Sequence, residues 1–170
     1  MLRLRQYKKC DAAAIVSWIG SRRVFRMWSA DRYDHYPITA DDLNAHYEGF
    51  AYADNFYEMT AFDEPGPVGH MILRFTDEEK QTVHFGFVIV DDKKRGRGYG
   101  SEMLRLAIRY AFDILRARRI TLGVFTENTG AARCYQALGF RSTGEEESCE
   151  VDGETWVFCE MELLPGGISG

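Results

Sequence analysis

The 170-residue chain lacks several features that would assign it to common functional classes. It has no apolar run near the roughly 20 residues that a membrane-spanning helix requires, and its start, MLRLRQYKKC, alternates charge with apolar side chains. Lys and Arg total 21 against 26 for Asp and Glu, so the net charge of -5 argues against a general nucleic-acid binder, which depends on excess positive charge. We therefore expect no membrane or nucleic-acid partner, and a cytoplasmic location.

Cysteine is also scarce, and its spacing is uninformative for metal binding. Cys10, Cys134, Cys149 and Cys159 show no CxxC spacing and have no histidine nearby to complete a ligand set. This argues against a zinc site and against a disulfide framework. The sequence predicts four buried, reduced thiols and no metal.

Repeats, low-complexity stretches and linkers are missing from residues 1 to 164. With 45% hydrophobic and 14% aromatic residues, the chain can build one ordinary core. We predict a single domain over residues 1 to 164, followed by a loose tail, PGGISG, at residues 165 to 170.

The first third of the chain reads as one strand and two helices. Alternating residues in LRLRQY predict a strand, and DAAAIVSWIG predicts a short helix capped by Asp11. In PITADDLNAHYEGFA, Thr39 with Asp42 three residues later is typical of a capping box, which predicts a helix to about Tyr52.

The remainder alternates strands with two helices. Turn motifs divide residues 56 to 90 into three strands of an antiparallel meander, and the third, from Thr82 to Val90, is apolar enough to be covered on both faces. A helix from Gly98 to about Arg118, the strand RITLGVF, a short helix from residue 128 to 138 and two final strands follow. The predicted order is β-α-α-β-β-β-α-β-α-β-β, an α/β domain.

The segment VDDKKRGRGYGSEM joins the third meander strand to the longest helix. It contains no GxxxxGK[ST] run, and its glycines are spaced GxGxG instead of GxGxxG, so neither common nucleotide-binding template fits. It does contain R-x-x-G-x-G, formed by Arg95, Gly98 and Gly100. Glycines let backbone N–H groups converge on an anion, and the helix start adds partial positive charge.

Lys93, Lys94, Arg95 and Arg97 would reinforce this field, with the two lysines solvated. Two alternatives remain at this point, namely a solvated basic turn and a nucleic-acid contact in a structural protein.

Two motifs give the chain a family resemblance. FVIVDDKKRGRGYGSEML and, further on, VFTENTGAARCYQALGF resemble the two acyl-CoA motifs of the GCN5-related N-acetyltransferase (GNAT) superfamily, in the family's order. The element order is similar to that fold over nearly the whole chain. The resemblance implies a mixed, mostly antiparallel sheet of about seven strands with about four helices, and an enzyme that transfers acetyl from acetyl-CoA to a primary amine of a small molecule or peptide N-terminus.

The resemblance also implies which residues bind the cosubstrate. Backbone amides would hold the CoA pyrophosphate in the segment Arg95, Gly96, Arg97, Gly98, Tyr99, Gly100 and Ser101. Backbone groups of Val88, Ile89 and Val90 would bind the pantetheine arm, which requires the neighbouring strand to splay away. Asn128 would lie beside the pantetheine amides while capping its helix. Gly86 marks either a bulge near the ligand or a packing contact with a bulky aromatic residue.

Catalysis would proceed by direct attack of a neutral amine on the thioester carbonyl. By resemblance, Tyr135 protonates the departing thiolate, a role that suits a phenol with its ordinary pKa of about 10; the alternative is a core aromatic residue. Relatives often carry Glu two residues before the strand glycine, where this chain has His84, whose ordinary pKa of about 6.5 suits a general base. Glu58 and a water molecule are the other candidates, and a histidine satisfied by a carbonyl is the alternative for His84.

The sequence predicts the acceptor amine less clearly than the cosubstrate. Ten of the 23 aromatic residues lie between Trp18 and Tyr57, near four aspartates, which suits a cationic amine but equally suits core packing. A non-catalytic acyl-CoA-binding module is the alternative function. The apolar WVF of the last strand leaves a homodimer as one option.

Overall fold

A seven-stranded mixed sheet organises the protein. The computed structural model describes residues 1–167, and the sheet order is β1-β2-β3-β4-β5-β7-β6. The strands are β1 (Arg3–Gln6), β2 (Phe56–Asp63), β3 (Gly66–Phe75), β4 (Thr82–Val90), β5 (Arg119–Phe125), β6 (Arg141–Val151) and β7 (Glu154–Leu163). Neighbouring strands are antiparallel except β4 and β5, which are parallel. The predicted α/β domain with a mixed, mostly antiparallel sheet is confirmed.

Within residues 1–167, five α-helices accompany the sheet. They are α1 (Ala12–Ser17), α2 (Arg22–Ser29), α3 (Ala40–Glu48), α4 (Tyr99–Arg109) and α5 (Thr129–Ala137). The sequence analysis missed α2, although Ser21 is a good helix cap that accepts a hydrogen bond from the backbone N–H of Val24. Phe25 and Trp28, three residues apart, form the buried side of this helix.

The two predicted helix starts in the first third of the chain differ in outcome. The capping box of α3 is confirmed, with reciprocal hydrogen bonds between Thr39 and Asp42. Asp11, by contrast, precedes α1 without capping it. Its carboxylate is buried and instead accepts two hydrogen bonds at 2.8 Å from the guanidinium of Arg5 and one at 2.9 Å from the hydroxyl of Thr60.

The long helix ends earlier than predicted. After α4 the backbone widens into a π-helical turn, Tyr110–Ile114, and the chain then turns toward β5. Ile114 was expected on the buried face but is 64% exposed, because the wider turn moves it off the apolar stripe that began in α4.

Hydrophobic cores lie on both faces of the sheet. The larger one packs α4 and α5 against the sheet through Met103, Ile108 and Phe140, among others. The second packs α1, α2 and α3 against the opposite face. Phe85 of β4 belongs to the first core and Ile89 of the same strand to the second, so the prediction that β4 is covered on both faces is confirmed.

The expected buried thiols are not found. Cys10 is exposed, and Cys134, Cys149 and Cys159 are half-buried on α5, β6 and β7. Of these, Cys134 packs against the outside of the larger core. No three His, Cys, Asp or Glu side chains in residues 1–167 are grouped so as to hold a metal ion. In the same part of the chain, no helix has the length and apolar character to cross a membrane.

The start of the predicted loose tail lies against the domain. Residues 165 and 166 form a turn, closed by a 3.0 Å hydrogen bond from the N–H of Gly167 to the carbonyl of Leu164. Gly139, at φ 108°, approaches the carbonyl of Gly167 so closely that a side chain would overlap it. Residues 168 to 170 lie outside the described part of the chain.

Candidate active site

The sheet opens in its middle, between β4 and β5. These parallel strands pair only from Thr82 opposite Arg119 to Phe85 opposite Leu122. β4 nevertheless continues to Val90 and β5 to Phe125. From Gly86 onward, the side of β4 that faces β5 therefore has no strand partner within residues 1–167. Such a split leaves backbone groups free to bind an extended ligand.

A bulge in β4 marks the start of this opening. Register with β3 shifts between Ile72 opposite Gly86 and His70 opposite Ile89, so β4 contains one extra residue there. Phe87 adopts φ 50°, which is unusual for a residue with a side chain. A Cβ at Gly86 would lie 3.3 Å from Ile72 Cγ1. Gly86 therefore lies next to a bulge, which was one of its two predicted roles. Its packing neighbour is Ile72 and not the bulky aromatic residue of the other prediction.

The opening leads toward the glycine loop, defined here as Arg95 to Ser101. Gly96 and Gly98 have φ of 78° and 82°, and a Cβ at either position would meet nothing within 4 Å, so the space beside the loop is open. Gly98 is also the N-cap of α4. The first N–H groups of that helix have no acceptor within the helix and carry its positive dipole end. This geometry suits an anion such as a pyrophosphate.

The basic residues around the loop have different environments. Arg95, Arg97 and Lys93 are exposed, as expected for side chains that attract an anion at long range. Lys94 was expected to be solvated, but its ammonium lies 3.4 Å from the carboxylate of Asp63. The hydroxyl of Tyr99 donates to the same carboxylate at 3.3 Å. Asp63 is the last residue of β2, so the ion pair with Lys94 connects the start of the glycine loop to that strand.

Helix α5 lies next to the first turn of α4. The Sγ of Cys134 lies 3.4 Å from the Oγ of Ser101, which joins the two helices. Asn128 caps α5 by accepting a hydrogen bond from the N–H of Ala131 at 3.3 Å. Tyr135 is buried in the larger core, and burial raises the pKa of its phenol well above the ordinary value. It therefore holds its proton at neutral pH.

An aromatic cleft of about 700 Å³ lies on the face of the sheet that α2 and α3 cover. Its floor is the face of the sheet where β4 and β5 begin to separate. Aromatic residues line much of the cleft, namely Trp28, Phe50, Phe56, Phe87, Phe125 and Phe158. The indole N–H of Trp28 donates to the carbonyl of Phe87 at 2.9 Å and so attaches α2 to the bulge.

His84 lines this cleft, and a 2.9 Å hydrogen bond joins its Nδ1 to Thr121 Oγ1. Burial lowers the pKa of His84 to about 4, with further lowering by the nearby positive charges of Arg74 and Arg32. This pKa is lower than the ordinary histidine value on which the general-base prediction relied, and the role of His84 stays a prediction. The ring is neutral at physiological pH, but it binds a proton too weakly to compete for one from an ammonium.

Glu58, on β2, lies two strands further from the opening than Gly86. It faces Ile72, which in turn faces Gly86, and it is absent from the lining of the aromatic cleft. Burial raises the pKa of its carboxyl. The structure thus brings His84 and the bulge of β4 together in one cleft, and it leaves Glu58 beside that cleft.

Two arginines in the cleft were missed by the sequence analysis. Arg74 of β3 pairs directly with His84 of β4 and with Phe56 of β2, so the three side chains lie in one row across the sheet. Arg32 lies in the segment after α2. Arg74 could be found only by assigning the register between β3 and β4, since nothing in the local sequence distinguishes it.

The aspartates expected beside the aromatic residues do not line the cleft. Asp34 and Asp42 instead contact the imidazole of His35, at 2.6 and 3.2 Å. Several aromatic residues of that region, including Phe25 and Tyr47, belong to the core.

The fold and the site define a class of protein in which two parallel strands separate beside a glycine loop, an arrangement that suits an extended, anionic ligand. A separate cleft lies at the inner end of the split. The chain belongs to the GNAT acetyltransferases, because the family model described as Acetyltransferase (GNAT) domain matches residues 1–141.

Individual relatives differ in their stated acceptors. The chain is 32% identical to spermine/spermidine N(1)-acetyltransferase of Bacillus subtilis (strain 168) over 69 residues, 41% of this chain and 45% of that protein. It is 28% identical to L-amino acid N-acetyltransferase AaaT of Escherichia coli (strain K12) over 105 residues, 54% of this chain and 64% of that one. Each match spans less than two thirds of the relative.

A solved structure agrees over nearly the whole chain. Spermidine N-acetyltransferase from Vibrio cholerae, in complex with CoA and spermine, superposes with a TM-score of 0.83 at 22% identity. The match covers 98% of this chain and 96% of the other. At this identity the likeness supports the fold alone.

Proposed function

We propose that the protein is an acetyl-CoA-dependent N-acetyltransferase acting on a primary amine of a small molecule or a peptide N-terminus. One observation carries the proposal, namely that β4 and β5 separate beyond Phe85 beside an open glycine loop. Family membership supports the same function.

The residues of the split suit coenzyme A in three places. Backbone N–H groups of the glycine loop, from Arg95 through Gly96, Arg97, Gly98, Tyr99 and Gly100 to Ser101, would bind the pyrophosphate. Backbone groups of Val88, Ile89 and Val90 would hydrogen-bond the pantetheine arm along the free side of β4. Asn128 would do so from the other side, since its cap uses only part of its side-chain hydrogen-bonding capacity.

When bound, acetyl-CoA supplies an activated acetyl group as a thioester. A backbone N–H near Val88 would stabilise negative charge on the carbonyl oxygen. Tyr135 would donate the proton that the leaving thiolate takes up. Its phenol is protonated at neutral pH, although its raised pKa makes it a weaker acid than an exposed tyrosine. The base remains among His84, Glu58 and water. The lowered pKa of His84 favours hydrogen bonding to the amine, or to a water, over full proton removal.

Tyr135→Phe tests the function. The substitution removes the hydroxyl and keeps the ring that packs against Phe140, with centroids 6.0 Å apart. We expect kcat to fall by about 10²–10⁴-fold with CoA affinity unchanged, because one general acid typically contributes that factor. Thiol release over a panel of amines measures turnover, and calorimetry measures CoA binding.

Two results would contradict the proposal. If the native protein binds CoA tightly but acetylates no amine, it is a non-catalytic acyl-CoA-binding module. If kcat does not change in the Tyr135→Phe variant, Tyr135 is a core residue without a catalytic role.

A further inference from the structure

The aromatic cleft carries positive charge and no negative charge. Its described lining contains the guanidinium groups of Arg32 and Arg74, together with His84 and His46, and no Asp or Glu. Within residues 1–167, neither guanidinium forms an ion pair, whereas other arginines of the chain do, such as Arg119 with Glu162 at 2.6 Å.

Arg74 is the more constrained of the two. It is half-buried on β3, between Phe56 and His84 in the same row of the sheet. Burial and the nearby charge of Arg32 both lower the pKa of its guanidinium, which nevertheless remains charged at neutral pH. A partly desolvated cation without a partner gains most from binding an anion.

The CoA pyrophosphate is not that anion. Arg74 lies opposite His84, at the first residues of β4, while the glycine loop follows the last residue, Val90. Six residues of extended strand separate these points by about 20 Å. The two basic regions therefore lie at opposite ends of β4, and they would bind different groups.

The positive charge of the cleft disfavours a polycationic acceptor. Two arginines repel an ammonium in the same cleft, and the aspartates that might have attracted one are turned elsewhere, as described for Asp34 and Asp42. The aromatic walls suit an apolar substituent.

We propose that the acceptor is a small primary amine that carries a carboxylate and an apolar substituent, as an apolar amino acid does, with Arg74 and Arg32 binding the carboxylate. This inference rests on the proposed N-acetyltransferase function and names its substrate class. The fork of a guanidinium binds a carboxylate through two parallel hydrogen bonds, which also orients the amine toward the split of the sheet.

The test compares amines that differ only in the carboxylate. Leucine is compared with isopentylamine and leucinamide, tryptophan with tryptamine, and spermidine serves as the polycation; kcat/KM is measured for each by acetyl-CoA-dependent thiol release. Each is measured with the native protein and with the Arg74→Gln, Arg74→Lys, Arg32→Gln and Arg105→Gln variants. Arg105 is a matched control, because it is an exposed arginine of α4 on the other side of the sheet.

We expect Arg74→Gln to lower kcat/KM for leucine and tryptophan by about 10–100-fold, the usual effect of losing a hydrogen bond to a charged group. Values for isopentylamine and tryptamine should change by less than about threefold, since they have no carboxylate to lose. Arg74→Lys should retain part of the activity, Arg32→Gln should give a smaller loss, and Arg105→Gln should give none. Dividing kcat/KM of the native protein by kcat/KM of the variant for the same amine cancels the intrinsic reactivity of that amine.

The outcomes separate the two proposals. If spermidine or the decarboxylated amines are acetylated as well as the amino acids, or if Arg74→Gln affects both members of a pair equally, the carboxylate inference is wrong and the N-acetyltransferase function stands. If neither these amines nor the wider panel used to test the proposed function promotes thiol release, the function itself is contradicted.

Discussion

Gly98 gives the sharpest test of the glycine loop, because the chain offers a matched control. Gly98 has φ 82°, and a Cβ there would meet nothing within 4 Å. Gly144 of β6 has φ 85° and equally open surroundings, far along the chain from the loop. Alanine at either position therefore suffers the same backbone strain without a steric clash.

The expected loss of stability is the same for both variants. An L-residue in the left-handed region costs about 1–2 kcal/mol. For a domain of this size, that is a reduction in Tm of about 2–8 °C. Thermal denaturation followed by circular dichroism measures it.

CoA affinity should differ between the two variants. In Gly98→Ala, relief of strain would tilt the N–H groups at the start of α4 away from the pyrophosphate. Losing one hydrogen bond to a charged group costs about 1.5–3 kcal/mol, which raises the Kd for CoA by about 10–150-fold. Gly144→Ala should bind CoA as the native protein does. Calorimetric titration measures both, and a Gly98→Ala protein that binds CoA within about twofold of the native affinity would refute the assignment of the glycine loop to the pyrophosphate.

Two further predictions concern the general base and the stability of the domain. The folded-state pKa of His84 is lowered to about 4. We therefore expect the acidic limb of the pH profile of kcat/KM, between about pH 6 and 8, to be the same in the native protein and in His84→Ala. If the variant loses this limb, His84 is the general base. Burial raises the pKa of Asp11, but hydrogen bonds from Arg5, the backbone of Lys8 and Thr60 lower it by more. Stability from this group is therefore present above about pH 4, the carboxyl's unfolded pKa, and is lost as pH falls through its lower folded value. Asp11→Asn should lower the free energy of unfolding by about 3 kcal/mol in urea titrations, and the exposed control Asp41→Asn by less than about 0.5 kcal/mol; equal losses would show that the ion pair is not responsible.

Local sequence was sufficient for most of the backbone. The strand RITLGVF, the capping box at Thr39, the cap at Asn128 and the glycine loop were predicted, because each depends on residues close together in the chain. Helix α2 was missed although its cap, Ser21, and its buried residues are equally local.

The chemistry of the cleft depended on contacts between distant residues. Arg74 meets His84 only through the register of β3 with β4, and burial together with that contact lowers the pKa of His84. Asp11 looked like a helix cap, yet it pairs with Thr60, 49 positions away.

The sequence by itself therefore determined the family, the order of the strands and four of the five helices of residues 1–167. It also predicts the glycine loop as the place for a phosphate, since glycine conformations and helix starts are set by neighbouring residues. Only the tertiary structure decided which charges share the aromatic cleft. A pKa and a binding preference depend on burial and on charges a few ångströms away in space, and in this fold those charges come from Arg74 of β3 and from Arg32 in the segment after α2.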